Sequence, residues 1–359
     1  MISTKELKSC KTKNKILVCV AIFKMKDSYR TFEKYIYQLD KLVKDIQKYA
    51  PFVNLRIYVD VSTQYLAEKY KEDFVEVVFY ECEPFLTEDK KFHDGTFGSL
   101  VRFLPCFEHD KKYDYICISD IDVSVRMNIQ KKYFDKMKEE NAQISYHSTL
   151  CYKKPWIKID YPIINLRFIT SVRFPKKMLT DYLQDVVDKK YEKERFEILE
   201  YNLKSGKKFS EDTLFPYGFD ELFTNGILSK HIFPRYKCFI YIFVTLGTVF
   251  KSCFHSTYKS NKKVEELVLK HWNTCEKIMW EEPVVPDKIM KLNYDLTMKL
   301  YNLMKDCAKI KVCIDDFLYT FKHSEKNSQY SIITHYPTKE NIKTHRKTVK
   351  NKSRLTIET

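Results

Sequence analysis

An α/β fold with a mainly parallel central sheet is what the sequence predicts, and three observations carry that prediction. Apolar runs of strand length alternate with segments of helical period over the first 120 residues, the pattern of βαβ units. The runs are nearly continuous, as expected of strands covered on both faces. Carboxylates close several of them, at Asp60, Asp120 and Asp122, and in open sheets ligands collect at the carboxyl ends of strands.

Lys15–Phe23 is the first apolar run and reads as a central strand. Phe32, Tyr35, Ile36, Leu39, Leu42, Val43 and Ile46 then recur at helical spacing, so a long amphipathic helix follows and Pro51 closes it. Leu55–Asp60 is the next strand, Thr63–Tyr70 a short helix and Val75–Tyr80 a third strand. Phe92–Pro105 holds Gly95 and Gly98 at the entry of an amphipathic helix bearing Arg102; a helix start beside glycine suits phosphate. Ile116–Ile118 is a buried-type strand that runs into Asp120 and Asp122. Gln143–His147, Tyr161–Asn165 and Phe168–Thr170 read as further short strands, and Asp181–Lys208 as exposed, highly charged helix. Gly218 opens a new helix with Asp220 and Glu221 in its first turn, where acidic residues complement the helix dipole. Cys238–Phe250 is core strand material, too short to span a bilayer. Beyond residue 261 the apolar spacing is helical, and residues 338–359 form a basic, apolar-poor tail that reads as disordered.

The organisation expected is therefore a polar N-terminal segment (1–14), a main domain (15–260), a helical extension (261–337) and the tail (338–359). With 359 residues, 44% hydrophobic and 15% aromatic, the chain can bury a large core and is not disordered as a whole. The net charge of +15 favours anionic partners, but the lysines are scattered and much of the excess lies in the terminal segments. Eleven cysteines without a Cys-x-x-Cys pair argue against a zinc ribbon and for a reducing compartment, so a cytoplasmic location is expected. No signal-peptide core and no membrane-spanning run is expected either.

Two carboxylates spaced i, i+2 at a strand end would share one face. That arrangement suits Mg²⁺ or Mn²⁺, which takes one or two carboxylates together with phosphate oxygens. Arg102 would pair a phosphate or an aspartate. Asp60 and the end of the first strand, Ala21 to Phe23, are candidate contacts for a donor nucleoside.

These residues resemble the GT-A glycosyltransferases over roughly 15–260. Those enzymes have a Rossmann-like fold and move a sugar from a nucleoside diphosphate donor, with an Asp-x-Asp holding Mn²⁺ or Mg²⁺. The Asp220–Asn225 segment is similar to the Asp-Glu-x-x-x-Asn of the retaining blood-group-type enzymes, and more loosely to the acidic helix start that supplies the base in inverting ones. His255 with Lys259 is similar to the His-x(4–5)-Lys ending of glycogenin-like transferases, although the glycine and Pro-Trp that accompany that ending are absent. The resemblance implies Asp120, Asp122 and His255 as metal ligands. It implies Asp60, Ala21, Phe23, Arg102, Asp120 and Lys259 as donor contacts, and Asp220 or Glu221 as base or cation stabiliser. It implies a nucleoside-diphosphate sugar donor, a UDP-sugar favoured, and a glycan, protein or lipid acceptor.

The residues leave the sugar, the acceptor, retention or inversion, and the oligomeric state open. A competing reading is a nucleotidyltransferase-like or nuclease-like enzyme, using the same aspartates against a polynucleotide. It lacks a convincing third carboxylate. A basic single-strand-binding protein is the other alternative, and no OB or RRM signature supports it, so a nucleic-acid partner is not favoured.

Overall fold

The computed structural model describes residues 2–25, 31–109, 112–123, 125, 129–139, 141–149, 167–204, 206–207, 209–232, 235–243 and 330–334, with backbone alone at 147–149, 239–243 and 330–334. Two compact units are present. The first takes in Met1–Ile144 and Arg167–Ile232 and carries the candidate site.

Six strands of that unit are β1 (Ser3–Lys8), β2 (Ile16–Ile22), β3 (Val53–Val59), β4 (Val75–Glu81), β5 (Tyr115–Ile118) and β7 (Arg167–Thr170). Their order is β1-β4-β3-β2-β5-β7. The pairs β4–β3, β3–β2 and β2–β5 are parallel, while β1 and β7 run antiparallel to their neighbours. This is a Rossmann-like α/β fold with a mainly parallel core. The central strands are built from Val, Ile, Leu and Tyr because both faces are covered, and every residue of β3 is buried.

Between β2 and β3 lies α1 (Phe32–Tyr49), which turns Leu39, Leu42, Val43 and Ile46 inward, the stripe its spacing predicts. The amphipathic helix expected within Phe92–Pro105 is a single turn, α2 (Gly98–Val101), followed by a 3₁₀ turn over Leu104–Cys106. Pro105 has no N–H for an α-helical bond and stops the helix. After β5 come α3 (Lys131–Glu139), α4 (Lys176–Val187) and α5 (Glu192–Lys204). The stretch Asp181–Lys208, expected to be exposed, buries Tyr182, Leu183, Val186 and Ile198, and Arg195 with them.

The N-terminal segment also departs from expectation, since its residues 3–8 form the edge strand β1. Nearly all of its side chains are exposed, so no apolar pattern announces it. Its pairing rests on backbone bonds to β4 and on the Lys8 ammonium, which donates to the carbonyls of Glu72 and Val75 at 2.7 and 2.6 Å.

β6 (Ile144–Thr149) belongs to the second unit apart from its first residue. In the second unit β8 (Cys238–Phe243) pairs in parallel with β9 (Tyr330–Thr334). β9 falls inside the segment expected to be helical, and its Tyr-Ser-Ile-Ile-Thr sequence is strand-favouring. Tyr161–Asn165, residues 244–250, His255, Lys259, the rest of the expected helical extension and the tail 338–359 lie outside the described residues.

Candidate active site at the carboxyl edge of the sheet

From β2 the strand order runs outward through β3 and β4 on one side and through β5 on the other. The carboxyl ends of β2 and β5 therefore form the topological switch point, where α/β sheets place ligands. β5 is short: Ile118 pairs with Cys19, so β2 continues past it to Ile22. The chain leaves the sheet at that step.

Asp120 and Asp122 follow immediately. They do not share a strand face as the i, i+2 spacing predicts, because β5 ends at Ile118 and residues 121–123 form a turn that buries Ile121. Both aspartates are exposed. Among the described residues no group of three or more His, Cys, Asp or Glu could hold a metal.

Arg102 organises this edge. Its Nη1 donates to the Ser119 carbonyl at 3.2 Å and to Asp120 Oδ1, and its Nη2 donates to Asp220 Oδ2 at 3.0 Å. The three side chains differ in exposure: 50% for Asp120, 15% for Arg102 and 12% for Asp220. Arg102 Nε is buried with no hydrogen-bond partner.

Asp220 reaches Arg102 because two loops are stapled together. Gly95, at φ +52°, lies so close to Phe215 that a Cβ would stand 2.2 Å from the Phe215 carbonyl oxygen. Thr96 N–H donates to that oxygen at 2.8 Å, and Phe215 N–H donates to Asp94 Oδ2 at 2.9 Å. Burial drives the Asp94 carboxyl above the usual carboxylate range, against amide hydrogen bonds that act in the other direction. Phe85 stacks on Phe97, and Phe215 meets both rings and that of Phe219 edge-on. Gly218, at φ +111°, then turns the chain into α6, which is α-helical over Phe219–Glu221, π-helical over Leu222–Leu228 and α-helical over Ser229–Ile232. Thr224 Oγ1 donates to the Asp220 carbonyl at 2.7 Å, and Asn225 Nδ2 donates to that of Glu221 at 3.2 Å. Tyr182 Oη fixes the Phe219 carbonyl at 2.8 Å. Glu221 itself is partly buried.

The other expected donor contacts divide. Phe23 is half-buried past the end of β2, with its ring against Gly98. Ala21 lies within β2 opposite Tyr58. Asp60 is wholly buried, which corrects its expected place facing a donor. Its Oδ1 accepts from Ser62 N–H at 3.0 Å, Ser62 Oγ at 2.5 Å and Thr63 Oγ1 at 3.0 Å, while Oδ2 faces His93 Nδ1 at 3.2 Å. His93 Nε2 accepts the Cys82 N–H at 3.1 Å, so the ring proton sits on Nδ1 and points at Asp60. This buried pair ties the end of β3 to the loop that leads into α2. Nothing in the sequence distinguishes His93 from a surface histidine; its role depends on the fold bringing residues 60, 82 and 93 together.

Three of the solved structures that are similar to the chain at low levels illustrate the likeness. One is Rv0371c from Mycobacterium tuberculosis H37Rv, with TM-score 0.26, 9% identity and coverage of 47% of this chain and 76% of that one. A second is S. aureus TarS 1–349, at 0.29, 11%, 88% and 83%. The third is 4-diphosphocytidyl-2C-methyl-D-erythritol synthase from Anaerococcus prevotii, at 0.26, 12%, 61% and 100%. Likeness this slight carries no argument about function. No family model and no curated protein matches the sequence.

Proposed function

We propose that the protein is a metal-dependent glycosyltransferase of the GT-A kind, taking a nucleoside-diphosphate sugar at the switch point between β2 and β5. The observation that carries this reading is the convergence of Asp120, Arg102 and Asp220 at that edge, from three separate segments of the chain. The donor set fits Mg²⁺ or Mn²⁺: two exposed carboxylates offer hard oxygens, and a cation that keeps phosphate oxygens in its shell needs no third protein ligand. Asp120 and Asp122 would hold the ion, whose chemistry is to neutralise a diphosphate as it departs.

The chain's own groups supply the rest. Arg102 offers a guanidinium fork beside the pair for phosphate oxygens. Asp220, held by Arg102 and by its place at the start of α6, is the base or the carboxylate that stabilises positive charge at the sugar; Glu221 is the second candidate. Phe23 closes one side of the donor site. The acceptor is a hydroxyl of a glycan, protein or lipid.

The experiment is a thermal-shift screen of nucleoside diphosphates and their sugars with and without Mn²⁺. Stabilisation by UDP plus Mn²⁺ that vanishes in Asp122→Ala is the expected result. Stabilisation by oligonucleotides with no effect of UDP would overturn the reading in favour of a polynucleotide substrate.

A further inference from the structure

The hydrogen bonds of Arg102 are unevenly shared among its nitrogens. Nη1 serves two acceptors, the Ser119 carbonyl and Asp120, while the buried Nε serves none. An unmet buried donor is costly and is relieved when an acceptor arrives. Asp120 is the most exposed member of the cluster, so it is the end of the bridge most easily released. At the other end, Asp220 Oδ2 retains Nη2 at 3.0 Å and keeps the side chain tethered once the first contact opens.

We infer that Arg102 is a displaceable counter-ion: it occupies the cation's place on Asp120 until a divalent cation and an anionic phosphate arrive together. The inference rests on the reading of Asp120 and Asp122 as the cation site. A guanidinium and a divalent ion cannot share Asp120 Oδ1, because like charges repel strongly at contact in a partly desolvated site. When Nη1 leaves Asp120, the guanidinium pivots on Asp220 and turns Nη1 and the unmet Nε toward phosphate oxygens that accompany the ion. Cation alone therefore binds weakly, and cation with a diphosphate binds well, because only the pair gives Arg102 a new partner. The coupling is reciprocal.

The test measures Mn²⁺ affinity by calorimetry on the full chain, with and without UDP, for the natural protein, Arg102→Met and Arg102→Lys. Both variants are expected to bind Mn²⁺ alone at least threefold more tightly than the natural protein, and UDP is expected to tighten Mn²⁺ binding less in them. Lysine keeps the charge but lacks the fork that spans two carboxylates, so it separates displacement from a simple loss of positive field. It also decides the matter should Arg102→Met not fold. Equal or weaker Mn²⁺ binding in the lysine variant overturns the inference, whatever the methionine variant does. Absence of Mn²⁺ binding in all three proteins, with UDP as well as without, overturns the cation site itself; loss of UDP binding with Mn²⁺ affinity intact strikes only the donor assignment.

Discussion

Two arginines in this molecule each bridge two carboxylates, and the two bridges differ in how fully their groups are partnered. Arg56, in the middle of β3, donates from Nε to Glu76 Oε1 at 2.6 Å and from Nη1 to Glu108 Oε2 at 2.9 Å and to Tyr58 Oη at 3.2 Å. Glu76 spends its second oxygen on Lys112 at 3.2 Å and Tyr113 at 3.1 Å, and Asn54 donates to the Tyr113 oxygen at 3.3 Å. The Glu76 side chain is 1% exposed. This network is densely partnered and dry at Glu76, although Glu108 at its far end is 39% exposed. Arg102, at the carboxyl edge, has an exposed partner at one end and an unmet donor in the middle. The second bridge, on the inference drawn above, is the one that changes partners. Buried networks that are satisfied rigidify a core, whereas partly satisfied ones hold their cost in reserve.

The largest effect that would break this comparison lies in the core bridge. Arg56→Met leaves the buried Glu76 with only the half-exposed Lys112 ammonium as counter-charge, and removing one partner of a buried pair costs about 3–5 kcal/mol. Urea denaturation at neutral pH should show that loss. A cost below about 1 kcal/mol would mean that Arg56 is no more structural than Arg102.

Gly95→Ala should come next. Its Cβ would meet a backbone carbonyl at 2.2 Å, on a residue whose φ is +52°. Overpacking of about 1–3 kcal/mol adds to a left-handed backbone cost of about 1–2 kcal/mol, so a loss of about 2–5 kcal/mol is expected by the same measurement. Because Gly95 sets the staple that carries Asp220 to Arg102, the variant should also lose the stabilisation by UDP and Mn²⁺. Full ligand stabilisation in a variant that has lost folding stability would separate the staple from the site.

How much of this was legible in the sequence follows from what periodicity can report. The central strands announce themselves because both faces are apolar, and α1 because its stripe is intact. The edge strand β1 is silent, since a strand that buries no side chain leaves no pattern. The Asp120–Asp122 spacing was visible, but the turn that parts them from β5 depends on Ile121 packing inward. Asp60 sat at a strand end as expected, yet its burial follows from His93, which lies 33 positions away in the chain. Arg102, Asp120 and Asp220 were each visible as candidates. That they form one bridge was not, because the Asp94–Phe215 and Thr96–Phe215 bonds joining their loops span about 120 residues.

Arg102→Met measures the other side of the comparison in the same units as Arg56→Met. Asp120 stays solvated when its partner is lost, and Asp220 alone is left partly desolvated. Solvent screening of the exposed end holds the expected loss to about 1–2 kcal/mol, read by urea denaturation without ligand. A loss as large as that of Arg56→Met would make the edge cluster a structural bridge and remove the reason to expect it to open.

The smallest effect is read from acid. Burial by itself would raise the Glu76 carboxyl, but the Arg56 guanidinium and the Lys112 ammonium outweigh it and hold that carboxyl below the usual range. A depressed folded value means that the stabilisation is complete above the unfolded carboxylate pKa of about 4.3 and is lost as pH falls through the lower, folded one. One carboxylate changes the slope of stability against pH by at most about 1.4 kcal/mol per unit. Thermal denaturation between pH 6 and pH 2.5 should therefore show Glu76→Gln less stable than the natural protein at the upper end, with the gap narrowing below about pH 4.3. A gap that stays constant to the lowest pH would mean that Glu76 titrates alike in the folded and unfolded chain, and that Arg56 draws its stability from Glu108 and Tyr58 instead.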